Sequence, residues 1–359
     1  MKDLLSCYKG KRVFVTGHTG FKGSWLICWL HELGAVVKGY SLAPENAFEL
    51  YDSVQGDQLC ESVIADIMDR SRLEEELLDF APDFVFHLAA QPLVRLSYEI
   101  PLKTFSDNAI GTAHVLEAIR KLDKPCVAVM ITTDKVYKNL ETDHSYCEGD
   151  RLGGHDPYSA SKAAAEIIIS SYRDSFFDPA QYAQHRKSIS VARAGNVIGG
   201  GDWAKDRIIP DIIRALSKQE RIVIRNPNAV RPWQHVLEPL HGYLVLAAHQ
   251  TRQPEYFATA YNFGPQPKDN LTVKELAEEA IHIWGSGNYH TPSVSQSLHE
   301  ANLLRLDISK ALTELDWKPL LNASRAIELT INWYRQFMQQ PANGLALVKA
   351  DISRYISLL

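Results

Sequence analysis

The chain has 359 residues, 45% of them hydrophobic and 23% charged, and its formal net charge is -5. Such a length allows a large core and two lobes, and the composition is ordinary for a globular protein. Lysine and arginine are scattered rather than clustered, which excludes nucleic acid as a partner. Apolar runs are too short to span a membrane, and no signal peptide is recognisable, so we expect a cytoplasmic protein.

Five cysteines occur, and none forms a C-x-x-C pair. An odd number without paired spacing argues against a disulfide framework and against a zinc site, and favours a reducing compartment. Histidines and carboxylates also lack metal-ligand spacing, so we predict no bound metal.

Short apolar runs alternate with helical patterns along the first half of the chain. The run at 12–16 is β-branched, and it is followed by glycines and a helical spacing of Trp and Leu that stops at Gly34. The same patterns predict strands at 35–40, 83–88, 126–132 and 188–193, and helices at 73–80, 108–122 and 159–176. This alternation predicts a parallel sheet that helices cover on both faces.

A glycine-rich turn connects the first strand to the first helix. Its glycines repeat every three residues, and each could serve a purpose: a tight turn, close approach of a pyrophosphate, and packing of the helix on the sheet. The helix N-terminus would then offer free N–H groups to phosphates. We therefore predict that the turn binds a dinucleotide, through Gly17, His18, Thr19, Gly20, Phe21, Lys22 and Gly23.

The residue that should bind the adenosine ribose is less clear. Ser41 stands near the end of the second strand where an acidic residue is expected, and no arginine follows that would suggest a 2′-phosphate. We prefer NAD over NADP on this basis. Asp66 and Ile67 precede a helix, where they could hold the adenine edge, although a helix cap explains Asp66 equally well.

These patterns predict an α/β protein with a Rossmann-type doubly wound parallel sheet and a smaller, interleaved C-terminal substrate lobe. Proline and glycine become more frequent after Asn196, where the alternation fades. We place the dinucleotide-binding domain at 1–196, with 234–263 returning to it. The substrate-binding lobe comprises 197–233 and 264–359.

A tyrosine and a lysine open the strongly apolar helix predicted at 159–176. Tyr158 and Lys162 are four residues apart, so they share one helix face. An ammonium near a phenol favours the phenolate and is expected to lower the pKa of Tyr158, which makes it a proton acceptor for a hydroxyl. Thr133 ends the preceding strand, and its hydroxyl could hydrogen-bond the same oxygen. Chance also produces such pairs often, so the alternative is an ordinary surface pair.

Together these residues resemble the extended short-chain dehydrogenases, across nearly the whole chain. The matching segments are Gly17-x-x-Gly20-x-x-Gly23, His87-Leu-Ala-Ala90, Asn108-x-x-Gly111-Thr112, Tyr158 with Lys162, and Tyr261-Asn-Phe-Gly264. Within the family, the 4,6-dehydratases of nucleotide sugars are most similar. The segments that resemble those enzymes are Thr16 to Trp25, Thr133 to Tyr137, Arg193 to Asp202 and Arg231 to Val236. The resemblance implies NAD as cofactor, held also by Leu88, Ala89, Ala90, Asn108, Tyr158 and Lys162.

The resemblance further implies a reaction. Oxidation of the sugar at C4 acidifies the C5 proton, water leaves from C5 and C6, and the hydride returns to C6. Tyr158 would be the C4-hydroxyl base, tuned by Lys162, with Thr133 orienting that hydroxyl. Asp134 would be the acid at C6. Lys135 stands where related enzymes have Glu, and it could serve as the C5 base only when neutral.

By resemblance, Asn196 and Arg231 bind the substrate's sugar or diphosphate, and Arg207 could do likewise or simply start a helix. The implied substrate is a cytidine diphosphate sugar, although no residue demands cytosine. The product would serve deoxysugar synthesis for cell-surface polysaccharide such as lipopolysaccharide O-antigen. Apolar faces on the helices after Asn108 and Tyr158 imply a homodimer, with a homotetramer as the alternative. Two other functions stay open: a nucleotide-sugar epimerase or simple dehydrogenase, and a noncatalytic dinucleotide sensor.

Overall fold

The computed structural model describes residues 2–44, 49–266, 269–292 and 304–359. Its centre is a seven-stranded sheet with the strand order β7-β6-β5-β4-β1-β2-β3. The strands are β1 Arg12–Thr16, β2 Val36–Ser41, β3 Glu61–Ile64, β4 Phe84–His87, β5 Cys126–Ile131, β6 Lys187–Ala194 and β7 Ala260–Phe263. All neighbouring strands run parallel. The order reverses between β1 and β4, and open parallel sheets bind ligands at such a point.

The central strands are apolar because helices cover both faces of the sheet. All residues of β4, β5 and β6 are buried, as expected for parallel strands without a solvent face. Two hydrophobic clusters form the core, one on each side of the sheet. Trp25 and Trp29 fill the first, and Leu73 and Leu77 lie in the second.

Nine helices of eight or more residues are present in the described ranges. They are α1 Phe21–Glu32, α2 Arg70–Phe80, α3 Gly111–Lys121, α4 Pro157–Phe176, α5 Ile208–Ser217, α6 Leu237–Arg252, α7 Val273–Trp284, α8 Ala323–Gln339 and α9 Gly344–Ile356. Shorter helices lie at Lys2–Leu5, Leu50–Ser53, Val94–Glu99, Pro101–Phe105, Tyr182–His185 and Ser309–Glu314. None of the described helices combines the length and apolar character needed to cross a bilayer.

The predicted α/β class and parallel sheet are confirmed, and the differences are local. The expected helix at 108–122 begins as a π-helix at Ser106–Ile110 and continues as α3. The helix expected from residue 73 begins at Arg70, because Asp69 caps it by accepting from the Arg72 N–H at 3.2 Å. The edge strand β3 was not predicted, since its four residues carry no clear alternation.

Beyond β6 the chain leaves the sheet and returns to it. α6 and β7 complete the sheet layer, while α5, α7 and α8 build the second lobe with short strand pairs. The last helix, α9, which the sequence-based division placed in the substrate lobe, contacts α8 and also α1. α9 packs against α1, where the Tyr355 and Trp29 rings lie 5.7 Å apart. The Tyr355 hydroxyl also donates to the buried Glu238 carboxylate at 2.7 Å.

Candidate active site

The glycine-rich turn adopts a shape that its glycines require. Gly17 has φ +75°, and a Cβ there would lie 2.7 Å from the Ala89 nitrogen. A Cβ on Gly23 would lie 2.0 Å from the Gly17 carbonyl oxygen, so α1 packs on the turn only with glycine at that position. A Cβ on Gly20 would meet nothing closer than 3.5 Å. The open side of the turn therefore faces outward at Gly20.

This geometry fits the diphosphate of a dinucleotide. Gly20 is the N-cap of α1, and no side chain caps the helix. Its first N–H groups consequently point at the open side of the turn, where an anion would be stabilised by them and by the helix dipole. The turn also lies at the carboxyl end of β1, beside the reversal of strand order.

Some side chains of the turn support its backbone, and others face the predicted cofactor site. His18 is buried against Gly39, and its Nε2 lies 2.8 Å from the Ser62 hydroxyl, so only its backbone can reach a ligand. Burial lowers the pKa of His18 to about 4. The Thr19 hydroxyl lies 2.9 Å from that of Ser41. The end of β2 thus offers neutral hydroxyls to a ribose.

Residues predicted to hold the rest of the dinucleotide lie around the same edge of the sheet. Asp66 is not the cap of α2, but its Oδ1 accepts from the Met68 N–H at 2.9 Å. The Ile67 carbonyl oxygen lies 3.1 Å from the His114 ring nitrogen. Ala89 follows β4, and its N–H donates to the Thr16 hydroxyl at 3.2 Å. All of them support the loops at this edge through their own hydrogen bonds.

Asn108 has a supporting position that the sequence did not indicate. Its Oδ1 accepts from the Gln91 N–H at 2.8 Å, and its Nδ2 donates to the Gln91 carbonyl oxygen and to the Ser161 hydroxyl. These bonds tie the loop that contains Leu88, Ala89 and Ala90 to α4. Direct contact of Asn108 with a cofactor stays a prediction.

The tyrosine and lysine of α4 are buried together at the carboxyl end of β5. Asp156 caps α4 by accepting from the Ser159 N–H at 2.9 Å, which places Tyr158 in the first turn. The Lys162 ammonium donates to the Ile131 carbonyl oxygen at 3.1 Å. Burial lowers the pKa of Lys162 to about 8, and the Glu166 carboxylate opposes that fall.

The pKa of Tyr158 differs from the sequence-based expectation. Burial raises the pKa of Tyr158 above the usual range, whereas the charges of Lys135 and Arg207 lower it. Lys162 does not contribute in the expected way, because its ammonium is turned to the backbone of β5. Acidification of the phenol therefore depends on the residues that follow β5.

Those residues form a compact polar segment. The Thr133 hydroxyl donates to Asp134 Oδ1 at 2.9 Å, and the Lys135 ammonium donates to the same oxygen at 3.0 Å. The Asp134 side chain is 1% exposed and that of Lys135 is 27% exposed. Lys135 also lies 3.5 Å from Asn196 Oδ1. The structure thus brings a buried carboxylate, an ammonium and an amide together beside Tyr158.

Lys22 and Tyr243 form a contact that the sequence did not indicate. The Lys22 ammonium lies 3.5 Å from the Tyr243 hydroxyl, although the two residues are 221 positions apart. Burial lowers the pKa of Lys22 to about 7, and the charges of Arg207 and Lys162 contribute to that fall. Such a separation leaves no signal in the sequence, so Tyr243 could not have been found there.

The predicted arginines occupy different places. Arg207 donates to Asp202 Oδ2 at 2.8 Å, and the charges of Arg207 and Tyr158 interact. Arg231 lies in the short antiparallel pair of Val230–Arg231 with Leu271–Thr272. The structure therefore brings Arg207 near Tyr158 and places Arg231 at the second lobe.

A narrow cleft, with free space of about 10 Å³ or roughly one water molecule, opens beside Gly195. Gly195 is at its inner end, where a Cβ would lie 3.1 Å from Asp134 Oδ2. Its wall includes Ser145, Gly195, Pro232, Gly264, Asn270 and Arg305. Ser145, Asn270 and Arg305 supply the polar groups of this otherwise largely apolar wall.

Comparison with known proteins agrees with this arrangement. The family described as GDP-mannose 4,6 dehydratase matches residues 14–330. The CDP-glucose 4,6-dehydratase of Salmonella typhimurium is 45% identical over 350 residues, covering 98% of this chain and 97% of that protein. A probable dTDP-glucose 4,6-dehydratase of Sinorhizobium fredii is 27% identical over 341 residues, covering 90% and 92% of the two chains.

Solved structures show the same fold. The dTDP-glucose 4,6-dehydratase DesIV of Streptomyces venezuelae, solved with NAD and TYD bound, has a TM-score of 0.79 at 22% identity. It covers 92% of this chain and 99% of its own. UDP-glucose 4-epimerase of Thermotoga maritima has a TM-score of 0.74 at 20% identity, covering 91% and 99%. From the family match and the relative with 45% identity, the chain belongs to the GDP-mannose 4,6-dehydratase family of nucleotide-sugar dehydratases.

Proposed function

We propose that this protein is an NAD-dependent dehydratase that converts CDP-glucose to CDP-4-keto-6-deoxyglucose and water. The observation that carries the proposal is the buried Thr133-Asp134-Lys135 segment beside Tyr158. Its sequence context is that of a relative with 45% identity named CDP-glucose 4,6-dehydratase. A simple dehydrogenase has no need for a buried carboxylate at this point.

NAD bound at the glycine-rich turn supplies a hydride acceptor for C4 and a hydride donor for C6. The residues that would hold it are those of the turn, with Ser41 and Asp66 on the adenosine side. Their geometry fits because Gly17 and Gly23 shape the turn while Gly20 leaves it open. Neighbouring structures of the fold were solved with NAD bound.

Tyr158 and Thr133 act on the C4 hydroxyl in this proposal. The phenolate removes the hydroxyl proton, while the Thr133 hydroxyl orients the same oxygen. Cationic Lys135 favours the phenolate against the effect of burial, and the Thr133 hydroxyl would do so when it turns from Asp134 to the substrate oxygen. Lys162 holds the end of β5 in place through the Ile131 carbonyl oxygen.

Asp134 and Lys135 act on C6 and C5. The Asp134 carboxyl, when protonated, gives a proton to the C6 hydroxyl, so that water leaves. Lys135 is the proposed C5 base, and this role requires it to leave its ion pair with Asp134 and lose a proton. A proton passed from the Lys135 ammonium to the Asp134 carboxylate across their 3.0 Å contact would leave a neutral amine for C5 and a carboxylic acid for C6.

The nucleotide part of the substrate would lie toward the second lobe, on the side where the narrow cleft opens beside Gly195. Arg207 and Arg231 are the proposed partners of the diphosphate, since a planar guanidinium suits phosphate oxygens. Asn196 would contact the sugar, because its Oδ1 already lies 3.5 Å from the Lys135 ammonium. The product would enter deoxysugar synthesis for cell-surface polysaccharide.

The test is mass spectrometry of CDP-glucose incubated with enzyme and NAD. We expect the nucleotide sugar to lose one water without net accumulation of NADH. An unchanged mass with altered chromatographic mobility would indicate an epimerase instead. Tight NAD binding without turnover of any nucleotide sugar would indicate a noncatalytic sensor.

We also propose that the protein is a homodimer. Large apolar side chains are exposed on the helical segments around α4: Leu102 is 84% exposed, Ile110 47% and Ile167 62%. These segments contact α4 directly, so the exposed residues belong to one region. A patch of this kind on a monomer marks an interaction surface. Light scattering should give a dimer that Ile167→Glu dissociates, and a wild-type monomer would refute it.

A further inference from the structure

A buried ion pair lies directly behind the catalytic residues. Arg193 of β6 donates through Nε to both carboxylate oxygens of Glu166, at 2.8 and 3.0 Å, and through Nη2 as well. Both side chains are less than 5% exposed. Neither residue has a part in the reaction proposed above.

Glu166 holds the chain just before the catalytic segment. Its Oε1 accepts from the Thr132 hydroxyl at 2.6 Å, and Thr132 directly precedes Thr133. Glu166 also lies one turn after Lys162 on α4, and Lys162 donates to the Ile131 carbonyl oxygen at 3.1 Å. Two consecutive residues at the end of β5 are thus fixed to α4.

Arg193 holds the chain just after the same segment. Its Nη1 donates to the Tyr137 hydroxyl at 2.7 Å and to the Glu148 carbonyl oxygen at 3.0 Å. The Tyr137 hydroxyl in turn donates to Asn262 Oδ1 of β7 at 2.7 Å. One ion pair therefore binds both flanks of the four residues 133–136.

Stability alone does not account for this pair. Desolvation of two buried charges commonly outweighs their attraction, so the attraction between the two charges adds little to stability by itself. A charged pair does, however, fix the relative orientation of its two side chains, because a bidentate guanidinium and carboxylate have one favourable geometry. The carboxylate also opposes the fall in the pKa of Lys162 that burial causes.

We propose that Glu166 and Arg193 are positioning residues that hold the Thr133-Asp134-Lys135 segment and Lys162 in register with Tyr158 for proton transfer. The inference rests on the proposed function, because it assigns a task to residues around that site. It adds that the segment is aligned from both ends by one charge pair rather than by its own hydrogen bonds.

The charged and titratable groups around the site determine how a pH test is designed. Those that act on Lys162 or Tyr158 are Lys22, His87, Asp134, Lys135, Glu166, Arg207 and Tyr243. Only Glu166 raises the pKa of Lys162. Glu166→Gln should therefore lower that pKa below its wild-type value of about 8. A small amine-reactive reagent modifies only the neutral form of Lys162. The rate of this labelling, measured against pH by peptide mass spectrometry, therefore reports the pKa of Lys162 without turnover.

The kinetic test uses variants that remove one flank at a time without burying a lone charge. Thr132→Val and Tyr137→Phe should each lower kcat about tenfold, with KM for the nucleotide sugar and the affinity for NAD unchanged. The double variant Glu166→Gln/Arg193→Met should fold and be slower than either. Glu238→Gln is the matched control, since it also removes a buried carboxylate but lies outside this network.

Wild-type turnover, measured first in the same assay, separates the two hypotheses. A wild type without dehydration refutes the proposed function, whereas the labelling result for Lys162 still decides the inference. Wild-type kcat in Thr132→Val and Tyr137→Phe, or an unchanged labelling profile in Glu166→Gln, would overturn the inference alone. An equal loss of kcat in Glu238→Gln would mean that the network has a purely structural role, and it would overturn the inference too.

Discussion

Replacement of Asp134 by Asn should separate oxidation of the sugar from loss of water. The side chain keeps its volume but loses the carboxyl that we assign to protonation of the C6 hydroxyl. General acid catalysis is worth about 10²- to 10⁴-fold, or about 3–5 kcal/mol of the barrier. The ion pair with Lys135 is lost as well, but that ammonium is 27% exposed. The amide oxygen of Asn can still accept from Thr133 and Lys135, which should limit the cost to folding to about 1–2 kcal/mol.

The rate effect should therefore exceed the stability effect, and two measurements separate them. Product formation, followed by mass spectrometry, should fall at least about a hundredfold. Reduced cofactor, followed by its near-ultraviolet absorbance, should accumulate because C4 oxidation is spared. Asp134→Glu retains a proton donor and should recover part of the rate. Product formation at the wild-type rate in Asp134→Asn would remove Asp134 from the mechanism.

Three further predictions concern the base, the turn and acid stability. Tyr158→Phe should abolish accumulation of both product and reduced cofactor while NAD titration by tryptophan fluorescence is unchanged; residual oxidation near wild type would refute its role as the base. Gly23→Ala should lose NAD binding and stability, because its Cβ would meet the Gly17 carbonyl oxygen at 2.0 Å, whereas Gly20→Ala should fold normally; equal stability of the two variants would contradict this packing of α1 on the turn. Four buried histidines have lowered pKa values and stay neutral in the folded protein between pH 7 and about 5.5. In the unfolded chain they gain protons over this range, which costs about 5 kcal/mol of stability. Two carboxyls with raised pKa gain protons in the fold and recover about 2 kcal/mol, so urea unfolding should show a net loss of stability. These groups are His18, His87, His235, His241, Glu238 and Asp351. An unchanged urea midpoint would show that the histidines are not buried as neutral rings.

The strands were predictable where composition alone decides them. β1 has the predicted bounds because an apolar β-branched run is followed at once by Gly17. β2 begins one residue later than expected, since the Ala35 N–H still bonds to the Leu30 carbonyl oxygen at the end of α1. β3 is held by its pairing with β2 rather than by its own sequence, and such tertiary effects override local pattern.

The site was predictable as a set of residues but not as a set of contacts. Tyr158, Thr133 and Asp134 lie in short motifs, and their residue types alone suggest acid–base chemistry. The contact of Lys22 with Tyr243 joins α1 to α6 and exists only once both pack on the sheet. The direction of the Lys162 ammonium also depends on the folded position of Ile131. Long-range contacts of this kind determine the pKa values, so these could not be inferred.

The position of the C-terminal helix α9 restricts how a ligand can enter. Tyr355 closes onto Trp29 of α1 and onto Glu238 of α6, and Glu238 also accepts from the Leu320 and Leu321 N–H groups. Glu238 of α6 therefore ties together the end of the chain and the segment that precedes α8. A hinge opening of the lobes would strip a buried carboxylate of its donors, which is costly. We accordingly expect the body of the molecule to remain closed throughout the catalytic cycle.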